Sequence, residues 1–135
     1  MRRTRSATVE RSRSTSVNAG ASALVLLAWK RKDELDNLLR RPLGYFSPHT
    51  LTDRDAIRQS LDRIRTAGSA LTVSDVDEDA VGIAVPVVAS GEVVAGLSLV
   101  APRANMGSAQ LHRAQADLRV AASSIAEKYS LAHTL

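Results

Sequence analysis

Residues 81–102 read Val-Gly-Ile-Ala-Val-Pro-Val-Val-Ala-Ser-Gly-Glu-Val-Val-Ala-Gly-Leu-Ser-Leu-Val-Ala-Pro, with two apolar runs on either side of Ser90-Gly91-Glu92. β-Branched residues favour pleated backbone, and Gly91 can adopt the positive φ that a tight turn needs. The stretch therefore predicts a β-hairpin over 81–101. Both faces of the first run are apolar, so we expect cover on both sides. The predicted faces are Val81, Ile83, Val85 and Val87 on one side and Ala84, Pro86 and Val88 on the other.

Helical patterns flank this hairpin. Apolar spacing predicts a helix from about residue 19 to 28 and a second over Asp33–Arg40. A third begins with Thr52 as its cap and ends at Gly68. A long final helix is predicted from Ser108 to about residue 129, and its predicted apolar stripe is Leu111, Leu118, Ile125 and Tyr129.

An apolar run near 70–74 adds a third strand to the hairpin. The expected fold class is α+β, with an antiparallel sheet (hairpin 81–101 plus the strand near 70–74) packed with helices. Three strands leave sheet edges unpaired, and unpaired edges favour association with another strand. The sequence therefore predicts a homo-oligomer, with a dimer as its simplest form.

Composition narrows the class of protein. The chain has 135 residues, of which 44% are hydrophobic, and this suffices for one domain with a core. It has no cysteine, which fits a cytoplasmic location. Residues 1–17 carry five arginines against one glutamate and account for the whole formal charge of +4. We expect a disordered basic tail over 1–17, one domain over 18–130 and a short tail over 131–135. No apolar run approaches the ~20 residues of a membrane span.

Two short segments begin like a metal-binding or a catalytic motif but do not match the rest of that motif. Asp75, Asp77 and Asp79 begin like a calcium loop, but the later positions of that loop do not match. Gly96-Leu97-Ser98-Leu99 is similar to the start of a hydrolase nucleophile motif, but Val100 stands in place of the closing glycine and Ser98 lies within a predicted strand, so a small hydrolase using Ser98 is the weakest hypothesis. We therefore expect no enzyme, no catalytic residue, no metal and no cofactor. Ser98 itself bonds nearby backbone or faces a ligand.

Five segments, in order, resemble the C-terminal effector-binding domain of IclR-type transcriptional regulators. They are 18–28, Asp33-Glu-Leu-Asp-Asn-Leu-Leu39, Leu51-Thr-Asp53, Gly82-Ile-Ala-Val-Pro-Val87, and Gly91-Glu-Val-Val-Ala-Gly-Leu-Ser98 with Ala101-Pro102. The resemblance implies a partial GAF-like fold, here without the winged helix-turn-helix that binds DNA in the family. It places the ligand pocket on Ala21, Ser22, Ala23, Asp75, Ile83 and Ser98.

The resemblance implies that the chain senses a small organic or aromatic acid and regulates transcription through a DNA-binding domain that this sequence lacks. The alternative is a non-catalytic oligomerisation or interaction fragment of a truncated regulator without a working ligand site. Ligand-induced stabilisation distinguishes the two, because a bound ligand raises the free energy of unfolding.

Overall fold

The computed structural model describes residues 20–41, 43, 52–73 and 79–132. The predicted tail over 1–17 lies outside these ranges. The helices are α1 (Ala21–Ala28), α2 (Lys32–Leu39), α3 (Arg54–Ala67) and α4 (Ser108–Ala132), and the strands are β1 (Ala70–Val73), β2 (Ala80–Ala89) and β3 (Glu92–Pro102). This is the predicted order, and the α+β class is confirmed. Helix α4 includes Leu131 and Ala132, which the sequence had suggested as tail.

The sheet has the order β1-β2-β3, and both pairs of strands are antiparallel. The hairpin turns at Ser90 (φ 53°) and Gly91 (φ 76°), so two residues, and not glycine alone, adopt the positive φ of a two-residue turn. Near this turn Val87 pairs with Ala95 but Val88 pairs with Val93, which leaves one extra residue in β3. Val88 is 48% exposed at this bulge, so the expected cover of both faces is wrong at that position.

Helices cover the two faces of the rest of β2. On one face Val85 and Val87 are fully buried and cluster with Ala122 of α4. On the other face Ala70 and Ala84 join the core cluster formed by α1, α2 and α3. The predicted burial of both faces is therefore confirmed for the middle of β2, and it explains why the strand is apolar throughout.

Helix α4 packs through small residues. Its buried residues are Ala114 and Ala122, whereas Ile125 is 42% and Tyr129 40% exposed. The predicted stripe of large residues is therefore wrong in the C-terminal half of the helix. Ala122 and Ala126 are four residues apart and share a face of α4, so they let the helix approach Val85 and Val87 of β2 closely.

Helix α1 lies between the sheet and α3, and contacts both. Two arginines of α3 tie the neighbouring helices together: Arg65 Nη1 donates to the Ala28 carbonyl oxygen (2.9 Å), and Arg58 Nη1 donates to Asp36 Oδ1 (2.7 Å). The hydrogen bond from Arg58 lowers the pKa of the Asp36 carboxyl below its ordinary value. The pair therefore stays ionised at neutral pH and holds α2 against α3.

Two residues determine where α3 begins and ends. Asp53 is the N-cap, and its carboxylate accepts a hydrogen bond from the amide of Asp55 (3.0 Å), so the prediction of Thr52 as the cap is wrong by one position. Both residue types can cap, but the carboxylate also interacts favourably with the helix dipole. At the other end Gly68 has φ 75° and terminates the helix as predicted.

Candidate functional site

A pair of serine hydroxyls joins the first turn of α1 to the middle of β3. Ser22 Oγ donates to Ser98 Oγ at 2.6 Å, although 76 positions separate the residues in sequence. Ser98 is exposed and Ser22 is half-buried. Two hydroxyls on separate elements therefore meet at the surface of the domain, where a further hydrogen-bonding group can reach them.

Two glycines let α1 approach the sheet closely enough for this contact. A Cβ atom on Gly96 would lie 3.4 Å from the Ser22 carbonyl oxygen and 3.4 Å from a methyl group of Val25. A Cβ atom on Gly82 would lie 2.8 Å from Thr72 Oγ1 and 3.4 Å from Ala21 Cβ. At Gly96 a Cβ atom would already be in contact with α1, so a side chain longer than that of alanine would meet the helix. At Gly82 the added Cβ atom would first collide with the Thr72 side chain of β1.

The start of α1 adds backbone donors beside the serines. Its N-cap is Gly20 (φ 89°), and no side chain caps the helix. The Leu24 amide makes the first helical hydrogen bond, to the Gly20 carbonyl oxygen (3.1 Å), so the amides of residues 21–23 precede the helical ladder. The helix dipole gives this end a partial positive charge, which favours a negatively charged group nearby.

Apolar side chains flank the hydroxyl pair. Val100 shares the face of β3 with Ser98, because alternate residues of a strand point to the same side, and it is 66% exposed. Leu26 lies four residues after Ser22 on α1 and is 39% exposed. The surface thus combines polar donors with exposed apolar groups, the combination that binds a small amphipathic molecule.

The structure brings together only some of the residues predicted for the pocket. Ala21, Ser22 and Ala23 form the first turn of α1, with Ala21 buried, and Ser98 meets Ser22. Ile83 is buried but lies between Gly82 and Ala84, which face α1, so its side chain points to the opposite side of the sheet. Ile83 is therefore not part of the surface around Ser98. Asp75 lies outside the described residues.

This arrangement lacks the parts of a nucleophilic site within the described ranges. The partner of Ser98 is another hydroxyl, and His112 contacts the Ser108 carbonyl oxygen on α4. A serine nucleophile needs a neighbouring base.

Among the residues that the structure describes, no group of three or more His, Cys, Asp or Glu side chains could hold a metal ion. None of the described helices is both long and apolar enough to cross a bilayer.

Two grooves of about 300 Å³ each lie away from the serine pair. One runs between β2 and α4 and includes Val85, Arg119 and Ala122. The other lies between the end of α1, α2 and α3 and is lined mainly by basic residues. Sequence analysis did not predict this second groove. The available signal was the seven-residue spacing of Arg58 and Arg65, which places both on one face of α3.

Comparisons with known proteins agree on one family. The family model of the bacterial transcriptional regulator IclR C-terminal domain matches residues 2–127. No curated protein sequence matches the chain.

Solved structures extend this comparison. The C-terminal domain of the Escherichia coli regulator KdgR superposes with a TM-score of 0.79 at 30% identity, over 84% of this chain and 71% of that one. An IclR homologue from Microbacterium hydrocarbonoxydans, solved with 4-hydroxybenzoate, gives 0.78 at 32% identity, over 90% of this chain and 50% of that one. A homologue from Microbacterium sp. strain HM58-2 gives 0.73 at 30%, over 93% and 50%. The chain thus spans about half the length of the two Microbacterium proteins.

Proposed function

The chain belongs to the family of IclR bacterial transcriptional regulators, within their C-terminal domain, and from this membership we propose that it binds a small organic or aromatic acid. The observation that carries the proposal is the contact of Ser22 with Ser98 at the start of α1. Binding of the acid would then regulate transcription through a DNA-binding domain that is not among these 135 residues.

The proposed binding mode follows from the donors at this place. A carboxylate that enters above the serine pair accepts hydrogen bonds from both hydroxyls, and these bonds replace the one between Ser22 and Ser98. The amides at the start of α1 and the helix dipole stabilise the same negative charge. Hydrogen bonds to a charged group are roughly twice as strong as neutral ones, so the exchange favours the bound state.

The apolar neighbours suit a ring or a short carbon chain. Leu26 and Val100 are exposed on either side of the hydroxyls, so they can cover the apolar part of the acid. The related protein from Microbacterium hydrocarbonoxydans was solved in complex with 4-hydroxybenzoate, which makes that acid the first probe to test here.

A bound acid can influence the rest of the domain through α1. This helix contacts all three strands and also α3, so a displacement of its first turn shifts a central element of the core. The acid then stabilises whichever conformation binds it more tightly. The equilibrium between the conformations that bind DNA and those that do not shifts by that difference in affinity.

A thermal-shift screen tests the proposal. Pyruvate, glyoxylate, benzoate and 4-hydroxybenzoate are added separately, and at least one is expected to raise the melting temperature. A ligand at a hundredfold excess over its Kd adds about 2.7 kcal/mol to the free energy of unfolding. The matched control is 4-hydroxybenzamide, which keeps the ring but lacks the negative charge. The proposal fails if no acid stabilises the protein, or if the amide stabilises it as strongly as the acid.

A second candidate function is an oligomerisation module without a ligand site. It is supported by β3, whose outer edge carries no further strand within the described sheet. Its residues from Val93 to Ala101 include neither a charge nor a proline, the features that usually prevent edge pairing. A second copy of the chain could pair there to form a dimer. This candidate predicts concentration-dependent mass in sedimentation experiments together with no thermal shift from any acid.

A further inference from the structure

The groove between α2, α3 and the turn that joins α1 to α2 brings four basic side chains together. Its lining includes Lys30, Lys32, Arg58 and Arg65, with Asp62 as the acidic member. Leu35 and Leu61, both buried, lie at its base. Three of these cations are paired with carboxylates, Arg58 with Asp36, Arg65 with Asp62 and Lys30 with Glu34. The lining of this cavity of about 300 Å³ therefore carries a small excess of positive charge, which Lys32 supplies. Low-dielectric walls intensify the potential of this excess charge and raise the local concentration of anions.

The two arginines are held in fixed positions. Arg58 donates to Asp36, and Arg65 donates both to the Ala28 carbonyl oxygen and to Asp62. Their side chains are 40% and 42% exposed, so each guanidinium is partly withdrawn from water. A guanidinium has five N–H donors, and these contacts use one donor of Arg58 and two of Arg65. Several N–H groups of Arg58 and Arg65 therefore remain available on side chains whose positions are already fixed.

The two lysines make weaker contacts with acidic side chains than the two arginines do. Lys30 Nζ lies 4.0 Å from Glu34, whose carboxylate already accepts a hydrogen bond from Arg31 at 3.1 Å. Lys32 makes no ion pair within 4.0 Å in the part of the chain that the structure describes. Lys32 is thus the basic residue of the groove lining that no described carboxylate pairs with, and Lys30 is paired only at the 4.0 Å limit.

We propose that this basic groove is a second binding site, separate from the serine pair, for a small molecule that carries at least two negative charges. Phosphate esters and polycarboxylates share this chemistry. Arg58 and Arg65 bind the anion through planar donor pairs, and Lys30 and Lys32 close over it as mobile point charges. The leucines at the base contact the carbon part of the molecule.

A small anion fits this groove better than a nucleic acid. Asp33, Glu34, Asp36 and Asp62 surround the cations on the surfaces of α2 and α3. A nucleic acid backbone would have to pass over these carboxylates, and like charges repel it. A compact anion inside the groove can reach the N–H groups of Arg58 and Arg65 that Asp36 and Asp62 leave unused, together with the ammonium groups of Lys30 and Lys32.

Isothermal titration with inorganic pyrophosphate and with citrate tests the site, in buffers of equal ionic strength so that screening is constant. The wild-type chain is expected to bind at least one of them. The double substitution Lys30→Gln and Lys32→Gln should weaken that binding about tenfold or more, since two charged donors are lost. Lys128→Gln, at an exposed position of α4, is the matched control and should leave the affinity unchanged. The melting temperature without anion verifies that each variant folds.

Binding of pyrophosphate alone that the lysine double variant weakens would assign phosphate-bearing ligands, and binding of citrate alone that the same variant weakens would assign polycarboxylates; either result supports the site. Failure of both anions to bind overturns the proposal, as does equal binding by the double variant. Tighter binding of duplex DNA than of pyrophosphate, lost in the double variant, overturns it in favour of a nucleic acid interface. Citrate is itself an organic acid, so the lysine double variant, which leaves Ser22 and Ser98 unchanged, distinguishes citrate in this groove from citrate at the serine pair.

Discussion

Replacing Leu61 with alanine is expected to lower the free energy of unfolding by about 2–5 kcal/mol. Leu61 is completely buried in the core cluster of α1, α2 and α3, where it lies in the middle of α3. Removing its side chain leaves a cavity next to α1, and α1 is held against the sheet on its other side, so the cavity can close only in part. Urea denaturation followed by circular dichroism measures the change.

Leu71→Ala is the matched control for this substitution. Leu71 lies on β1 and is 54% exposed, so the same change of residue removes much less buried surface. We expect a loss below about 1 kcal/mol. Equal losses for the two variants would contradict the fold, because they would mean that α3 does not pack its apolar stripe into the core.

Ser98→Ala is expected to weaken the binding of the stabilising acid by about 10- to 150-fold, which corresponds to the roughly 1.5–3 kcal/mol of a hydrogen bond to a charged group. Titration calorimetry with the acid identified by thermal shift measures the change. Ser22→Ala should have an effect of similar size. The double variant should lose less than the sum of the two, since both hydroxyls contact the same carboxylate and each other.

Ser123→Ala is the control for the serine variants. Ser123 is an exposed serine of α4 and lines the groove between α4 and β2, on the other side of the sheet from α1. Its substitution should leave the affinity for the acid unchanged. Unaltered binding by Ser98→Ala, or an equal loss in Ser123→Ala, would show that the acid binds elsewhere.

The hairpin was predictable because its signals are local. Two apolar runs around Ser90 and Gly91 specify strands and a turn without reference to the rest of the chain. The bulge that exposes Val88 left no comparable signal, since a register shift depends on how two strands fit together. The exposure of Ile125 and the burial of Ala122 depend in the same way on which face of α4 the sheet meets.

The two candidate sites differ in how far the sequence revealed them. Ser22 and Ser98 were proposed from a family resemblance, and the structure brings them into contact. The basic groove was missed because its cations come from the end of α1, from α2 and from α3, and their total charge is nearly balanced by acids in the same segments. Only the packing of α2 against α3 places Lys32 and Arg58 in the lining of one groove.

Nuclear magnetic resonance offers the most direct test of the proposed acid site. An isotope-labelled sample is titrated with the acid that gives the largest thermal shift, and the chemical-shift changes are mapped onto the sequence. We expect the largest changes at Ser22, Ser98 and Val100, with little change at Val87 and Ala122 on the opposite side of the sheet. Changes concentrated along α4, or none at the two serines under saturating acid, would contradict the account.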